Sequence, residues 1–168
     1  MVIDNFARLD LVSTMGTSWR AVSDQVMGGI STASVTRNII DGIPCLHLTG
    51  EVCLENNGGF IQATLNLTSV GNKFDASGYT GVCFSVRGNN EKYSVHLRTL
   101  DCVRSWQSYR AHFTAGTNWE TINFPFETFT PHRLEASLNT TRLRRIGIVA
   151  IGHAFHADLA VSELEFYL

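Results

Sequence analysis

Short runs of alternating apolar and polar residues recur along the whole chain, and turn signals separate them about every 8 to 15 residues. The clearest run spans residues 81–88. Its Val82, Phe84 and Val86 side chains fall on one face of an extended strand, and the intervening side chains fall on the other. About nine or ten such runs occur, without a sustained helical period. This pattern predicts an all-β antiparallel sandwich of the jelly-roll kind.

The length of the chain and its uniform composition indicate one domain. The 168 residues are enough for a sizeable core, and no linker, repeat or low-complexity tract divides them, so we predict a single domain over residues 1–168. Residues 126–143 are the longest stretch without a clear strand, and a short helix near Leu134–Leu138 is expected there. The pair Asp41-Gly42 predicts a hairpin turn.

Charge and apolar content exclude several classes of protein. The formal net charge of −2 argues against a nucleic-acid partner, which usually requires a strong basic excess. No run of about 18 apolar residues is present, so a membrane-spanning helix is not expected. The first residues lack the basic-then-apolar layout of a signal peptide, which favours a cytoplasmic location.

The four cysteines do not form a recognisable metal or redox motif. Cys45, Cys53, Cys83 and Cys102 include no C-x-x-C pair, the spacing typical of zinc ribbons and thiol oxidoreductases. We therefore predict free thiols, buried where they fall within strands.

Two segments rich in glycine interrupt the strand pattern. The first, Trp19–Ser31, follows neither the helical nor the strand period and contains adjacent glycines, which indicates a shaped loop. The second, Leu54–Phe60, carries another glycine pair framed by polar residues. The motif residues of the two loops are Trp19, Ser23, Asp24, Met27, Gly28, Gly29, Ser31, Glu55, Asn56, Asn57, Gly58 and Gly59.

These loops allow two interpretations. Ordered loops of this kind are often a structural plug at one end of a sandwich, but they also bind ligands or partners. Asp24 can bond nearby backbone N–H groups, and together with Asn56 or Asn57 it is expected to clasp the two loops to each other. The apolar Val26 and Met27 side chains are expected to turn inward.

The loop motifs carry a resemblance to a known family. The segment Val22-Ser-Asp-Gln-Val-Met-Gly-Gly-Ile-Ser31, preceded by Trp19, resembles the Trp…Asp-Gly-Val-Met-Gly-Gly-x-Ser motif of the complex I intermediate-associated protein 30 family. Glu55-Asn-Asn-Gly-Gly-Phe60 resembles that family's second motif. The similarity continues in order through most of the chain, in residues 79–88, 93–99, 109–113 and 119–129.

The resemblance implies a jelly-roll sandwich similar to galactose-binding domains and to some carbohydrate-binding modules. Mitochondrial members of the family assist assembly of respiratory complex I, and this chain is similar to the standalone bacterial-type members. It departs from the family at Gln25, where glycine is common, at Asn89-Asn90, which replace a common Asp-Gly, and in residues 152–156.

A set of basic and aromatic side chains is the strongest candidate for a binding surface. If residues 93–99 and 105–113 pair as a hairpin, these side chains share one sheet face. Guanidinium groups beside an indole can hold a sugar, a carboxylate-bearing ligand or an acidic peptide. A solvated face on which arginine stems cover apolar surface is the structural alternative. The candidate residues are Arg87, His96, Arg98, Trp106, Arg110 and His112.

The sequence offers no recognisable catalytic or metal-binding set. There is no G-x-S-x-G motif, and His153 and His156 lack an obvious third ligand. Asp4, Asp24 or Glu163 could supply oxygens to a structural calcium ion, but none lies in a defined calcium loop. We therefore predict no catalytic residue, no metal and no cofactor.

The leading functional hypothesis is a non-catalytic binding module. It would act as an assembly or chaperone-like factor, with a subunit of a respiratory or other membrane complex as its protein partner. The alternative is a carbohydrate-binding module that recognises a sugar or acidic glycan on the Arg/Trp face. An enzyme is a third hypothesis, and it would require two carboxylates in a pocket.

Overall fold

The structure is a computed structural model that describes residues 1–168. Twelve strands account for nearly all of its regular structure, and no α-helix is present. The strands are β1 (Val2–Asp4), β2 (Arg20–Ser23), β3 (Thr32–Ile40), β4 (Ile43–Val52), β5 (Phe60–Asn66), β6 (Gly81–Arg87), β7 (Glu91–Thr99), β8 (Ser108–Ala115), β9 (Glu120–Pro125), β10 (Thr130–His132), β11 (Leu143–Ile151) and β12 (Phe155–Tyr167).

The strands form two antiparallel sheets. Sheet 1 has the order β3-β4-β12-β6-β9, and β1 pairs with β12 beside this path. Sheet 2 has the order β10-β8-β7-β11-β5-β2. Strands that are distant in the chain are neighbours in both sheets, as in a jelly-roll sandwich, so the predicted fold class is confirmed.

The core lies between the sheets and draws on both. One cluster of 33 buried apolar residues includes the alternating side chains of β6 and those of β7 and β8. Phe84 of β6 stacks on Phe124 of β9 at 5.1 Å and meets Phe113 of β8 edge-on at 5.6 Å. Such contacts add to the free energy of area burial and fix how the two sheets face each other.

The hairpin between β3 and β4 has the predicted two-residue turn. Ile40 pairs with Ile43, which leaves Asp41 and Gly42 as the turn residues. Both have positive φ, 54° and 78°, the conformation that a type I′ turn requires.

The helix expected near Leu134–Leu138 is absent. Leu134 and Leu138 pack individually against the core, and a single 3-10 turn follows at Thr140–Arg142. The Tyr109 hydroxyl donates to the carbonyl oxygen of Ala136 at 2.7 Å. The carbonyl of Ala136 thus accepts a hydrogen bond from a β8 side chain, whereas in a helix it would accept one from a backbone N–H.

Helical structure is limited to four short 3-10 segments. They are Asp24–Met27, Glu55–Asn57, Phe126–Thr128 and Thr140–Arg142. None has the length or the apolar character that crossing a bilayer as a helix requires.

All four cysteines are free thiols, as predicted. Cys45 and Cys102 are buried, whereas Cys53 and Cys83 are only partly covered, so the expected burial within strands is wrong for Cys83 of β6. Burial raises the pKa of Cys45 and of Cys83, which disfavours the reactive thiolate at neutral pH.

Candidate functional site

The outer face of sheet 2 lines a groove with a volume of about 1110 Å³. Strands β5, β7, β8 and β11 form its floor, and the two glycine loops reach one of its ends. Four formally positive side chains and four histidines line it, and no carboxylate does. These residues are Lys92, Arg98, Arg110, Arg145, His96, His112, His132 and His153.

The β7–β8 hairpin brings most of the predicted binding residues together. Its register places His96 opposite Arg110 and Ser94 opposite His112, which confirms the pairing on which that prediction depended. Five of the six predicted residues, His96, Arg98, Trp106, Arg110 and His112, line the groove. Their role in binding stays a prediction.

Arg87 is the exception, because it belongs to the other sheet. Strand β6 pairs with β12 and β9 in sheet 1, so the expectation that Arg87 shares a face with β7 and β8 is wrong. The Arg87 Nε donates to the carbonyl of Thr117 at 2.9 Å and lies 3.5 Å from a carboxylate oxygen of Asp41. Alternation assigns a side chain to one face of its strand, but it does not assign the strand to a sheet.

Strand β11 crosses the centre of the groove and changes character along its length. Its groove-facing residues run from Arg145 through Gly147 to Val149 and Ile151. A Cβ at Gly147 would lie 2.8 Å from the side-chain oxygen of Gln62. Glycine therefore leaves room at the middle of the floor for the Gln62 amide, whose flexible side chain covers the backbone of β11 there.

Arg98 holds the loop that carries Trp106. Its guanidinium donates to the carbonyl oxygens of Cys102 and Ser105, both at 3.1 Å, and of Arg104 at 3.2 Å. Trp106 precedes β8 instead of lying within it, and its side chain is 57% exposed. Arg98 thus acts as a brace, and the indole presents an uncovered apolar face to the groove.

Arg110 has most of its hydrogen-bonding capacity available. Its Nε donates to the Ser108 hydroxyl at 2.9 Å, and its two terminal nitrogens have no partner within the protein. Burial, with a contribution from nearby Arg133, lowers the pKa of Arg110, but a guanidinium stays charged at neutral pH. A partly buried guanidinium with free donors is suited to bind a carboxylate in bidentate fashion.

Arg145 adds a second held cation to the same end of the groove. Its Nε donates to the side-chain oxygen of Asn66 at 2.9 Å. Burial lowers the pKa of Arg145, and the neighbouring Arg98 lowers it further. The repulsion between neighbouring guanidinium groups favours binding of an anion between them.

His96 contributes a neutral polar group to the floor. Burial lowers the pKa of His96 well below its ordinary value, and the nearby Arg110, His112 and His132 act in the same direction. Its Nε2 lies 2.8 Å from the Ser94 hydroxyl. His96 is therefore uncharged at neutral pH and adds no positive charge to the floor.

Asp24 joins the two glycine loops, as predicted. Its carboxylate accepts from the backbone N–H and the hydroxyl of Ser31, and from the N–H of Gly59 at 2.6 Å and of Phe60 at 3.3 Å. Burial raises the pKa of Asp24, but these hydrogen bonds outweigh burial and leave the pKa below its ordinary value. The carboxylate is therefore ionised at neutral pH.

The backbone around Asp24 explains the glycines, and it corrects the role expected for the asparagines. A Cβ on Gly29 or Gly58 would overlap the Asp24 carboxylate, so both positions need glycine. Asn56 and Asn57 do not take part in the clasp. Both instead adopt left-handed backbone angles, with φ of 56° and 58°, which turn the second loop.

Trp19 and Ser23 have structural roles in the first loop. The buried Trp19 indole N–H donates to the Asp4 carboxylate at 2.8 Å. The same carboxylate accepts a hydrogen bond from the Arg37 guanidinium at 2.9 Å. The Ser23 hydroxyl accepts from the N–H of Gln25 and caps the 3-10 turn, which ends at Gly28 with φ of 87°. The Asp4–Arg37 pair had no signal in the sequence, because these residues are distant in the chain.

Two apolar residues of the first loop point outward, contrary to expectation. Val26 is 75% exposed and Met27 is 56% exposed, and both line the groove. Leu54 of the second loop is 52% exposed beside them. Because Asp24 occupies the interior between the loops, these side chains are left on the rim.

Glu55 begins the 3-10 turn of the second loop, and its backbone carbonyl accepts a hydrogen bond from the Gly58 N–H.

The residues considered as metal ligands are separated in the structure. His153 pairs with Glu91 at 3.0 Å and His156 with Glu51 at 2.5 Å, so the two imidazoles have different partners. The Glu163 carboxylate accepts a hydrogen bond from the hydroxyl of Ser85 at 3.3 Å. No group of three or more His, Cys, Asp or Glu side chains is placed to hold a metal ion.

Several groove residues were not singled out by sequence reasoning. Arg145 carried a usable signal, because it begins the alternating face of a run that was identified as a strand. The others became neighbours only through strand order in sheet 2, which joins β5 to β11 and β11 to β7. These additional polar lining residues include Gln62, Thr64, Lys92, His132 and Arg145.

The fold is similar to that of carbohydrate-binding modules of known structure. The family 11 module of the cellulosomal cellulase Lic26A-Cel5E of Clostridium thermocellum matches with a TM-score of 0.76 and 12% identity, over 99% of this chain and 93% of that chain. The family 11 module in complex with a beta-1,3-1,4-mixed-linked tetrasaccharide, from the same organism, matches with a TM-score of 0.75 and 12% identity. The match covers 99% of this chain and 94% of that chain. The family 30 module of the cellulosomal cellulase Cel9D-Cel44B, also from C. thermocellum, matches with a TM-score of 0.68 and 14% identity. The match covers 98% of this chain and 95% of that chain. At these identities the likeness establishes the fold alone.

The sequence itself matches one family. No curated protein matches the chain. The family model of complex I intermediate-associated protein 30 matches residues 9–161. This range includes both glycine loops and every strand of sheet 2, so it covers all parts of the groove. The chain belongs to the complex I intermediate-associated protein 30 family.

Proposed function

We propose that this protein is a non-catalytic binding module that holds a segment of a partner protein in the groove of sheet 2. Its role is that of an assembly or chaperone-like factor for a respiratory or other membrane complex. Membership of the complex I intermediate-associated protein 30 family supports the assembly role. The single observation that carries the binding role is the open groove, with its exposed Trp106 and its available Arg110.

The chemistry of the groove supports a binding role over catalysis. Glycoside hydrolysis requires two carboxyl groups that flank the substrate. The groove is lined by arginine, lysine, histidine, amide and hydroxyl groups, and it has no carboxylate. Such groups orient and retain an anionic or hydrogen-bonding partner.

Affinity capture tests the proposed function. A tagged protein is recovered from detergent-solubilised native membranes, and its partners are identified by quantitative mass spectrometry. We expect enrichment of subunits or assembly intermediates of one membrane complex. The Trp106→Ser/Arg110→Met double variant should recover at most a tenth as much.

The matched control is Lys73→Met, which removes a positive charge from an exposed loop outside the groove. Arg98 is not used as a test position, because its substitution would release the loop that it braces. Equal recovery by the groove variant, or recovery without any membrane-complex subunit, would reject the proposal.

A carbohydrate ligand is the second candidate function. It is favoured by the likeness of the fold to carbohydrate-binding modules and by the exposed indole of Trp106, since aromatic faces cover the apolar faces of sugars. Calorimetric titration with neutral and acidic oligosaccharides tests it. Binding of a sugar that Trp106→Ser weakens at least tenfold would support this candidate, and no heat at millimolar sugar would remove it.

A further inference from the structure

We infer that the groove binds an extended peptide segment of about six or seven residues, with carboxylates at one end and apolar side chains at the other. This inference rests on the proposed function and specifies the chemistry of the partner. It follows from the distribution of charge along the groove, from the apolar rim at one end, and from the distance between the basic end and the apolar end.

One end of the groove is basic. The strand register places Arg145 beside Arg98, and Arg110 lies opposite His96, two residues further along β7. The terminal nitrogens of Arg110 have no partner in the protein. The whole chain has a net charge of −2, so this local excess of cations is a feature of the groove and not of the overall composition. Its charge is complementary to a carboxylate.

The opposite end of the groove is mainly apolar, with Lys92 of β7 as its one arginine or lysine. Val149 and Ile151 continue the groove-facing side of β11, and Ile151 pairs with Phe60 of β5. Val26, Met27 and Leu54 of the two loops stand above them and are more than half exposed. Apolar side chains left uncovered at the rim of a groove are typical of an interaction site.

The two ends are separated by the length of a short peptide. Arg145 and Ile151 lie six residues apart on one strand, which corresponds to about 20 Å at the rise of an antiparallel strand. An extended ligand of six or seven residues spans the same distance. Near the middle of the strand, the space above Gly147 holds the flexible end of Gln62, which would move aside for the backbone of such a ligand.

The apolar rim favours a peptide over an oligosaccharide. Valine, leucine and methionine side chains pack well against other aliphatic side chains, and methionine adapts to varied shapes. Sugar binding instead depends on flat aromatic faces, and Trp106 is the one exposed aromatic side chain in the groove. Trp106 lies beside the basic end, away from the apolar loops, so it does not extend the apolar rim.

Synthetic peptides test the inference with the full chain. The probe is a heptapeptide, blocked at both termini, with two glutamates at one end, a glycine-serine centre, and valine and leucine at the other. Two versions are used, one with the glutamates at the amino end and one with them at the carboxyl end, because the groove does not define in which direction the peptide chain runs. Calorimetry gives the affinity, and changes in the NMR chemical shifts of backbone amides locate the site. We expect binding of at least one version, with shifts in β7, β8 and the glycine loops.

Matched substitutions separate the two ends. Replacing both glutamates by glutamine, or Arg110 by Met in the protein, should weaken binding at least tenfold. Arg110→Lys should restore part of the affinity, and Lys73→Met should leave it unchanged. Replacing valine and leucine of the peptide by serine, or Met27 by Ser in the protein, should weaken binding several-fold. A thermal melt of each variant checks that it is folded.

If the peptide binds, three results would still overturn the inference. They are equal affinity for the glutamine peptide, shifts outside the groove, and displacement of the peptide by an acidic oligosaccharide that binds more tightly. Absence of peptide binding, with groove-dependent capture of membrane-complex subunits, rejects the inference but leaves the proposed function. Peptide binding without capture of any such subunit rejects the proposed function instead.

Discussion

Asp24 accepts hydrogen bonds from both glycine loops, and it is fully buried between them. A buried carboxylate is stable only when its oxygens are satisfied, so the backbone of the second loop is shaped around this one side chain. The two loops stand at one end of the groove, which means that a structural residue sets the position of the apolar rim.

Replacing Asp24 with Ala should therefore destabilise the whole protein. The N–H groups of Ser31 and Gly59 would lose their acceptor, and the Ser31 hydroxyl would keep only the Cys53 carbonyl, at a total cost of about 3 kcal/mol. For a chain of this size the midpoint of thermal unfolding should fall by about 10 °C. Scanning calorimetry measures it, with Glu135→Ala as the exposed control. An unchanged midpoint with weakened partner binding would assign the loop a direct functional role instead.

His96 should make the folded protein sensitive to mild acid. Burial lowers the pKa of His96 well below its ordinary value of 6.5, and burial lowers the pKa of His132 in the same direction. Below about pH 6.5 the unfolded chain takes up protons that the folded chain excludes, so the free energy of unfolding falls as the pH decreases. The contribution of these imidazoles is fully present above that pH.

The measurement is thermal unfolding between pH 7.5 and pH 5. The midpoint of wild type should fall over this interval, and His96→Gln should reduce the slope. Loss of the Asp24 contribution is distinguishable, because a carboxyl whose pKa is lowered loses its stabilising effect only as the pH falls below about 4. A midpoint independent of pH down to 5 would contradict the assignment of His96 as a buried neutral group.

At the scale of strands and loops, local chemistry predicted most of the fold. Period-2 alternation identified the strands, and Asp41-Gly42 identified its hairpin, because both are properties of neighbouring residues. Strand order is not local, which is why Arg87 was assigned to the wrong sheet. The outward turn of Val26 and Met27 was also not predictable, since it depends on Asp24 filling the space between two loops that are distant in the chain.

Strand β11 offers a test of the groove that leaves the core intact. Gly147→Ala places a methyl group on the floor, where its one close neighbour is the flexible end of Gln62 at 2.8 Å. Because that side chain can move and because alanine restricts the unfolded chain, stability should change by less than about 1 kcal/mol. Ligand binding should weaken at least tenfold if the ligand backbone approaches this point. Calorimetric titration and a urea melt of the same variant separate the two effects.

At the scale of the whole molecule, the shared core implies that both sheets unfold together. We propose on this basis that residues 1–168 form one cooperative domain. Strand β12 lies inside sheet 1, where it pairs with β4 and β6, and its Phe166 stacks on Phe74 at 5.2 Å and on Tyr79 at 5.6 Å. The same apolar cluster continues into β7 and β11 of sheet 2.

Phe166→Ala tests this proposal, because it removes one side chain of sheet 1 and should affect both sheets equally. Truncation of a buried phenylalanine costs about 3 to 5 kcal/mol, much of the total stability of an ordinary domain. Native-state hydrogen exchange should show the same loss of protection free energy in β4 and β6 as in β7 and β11. If protection falls in sheet 1 while the amides of β7 and β11 keep theirs, the sheets are separate folding units. The groove would then remain formed in a protein whose other sheet has opened.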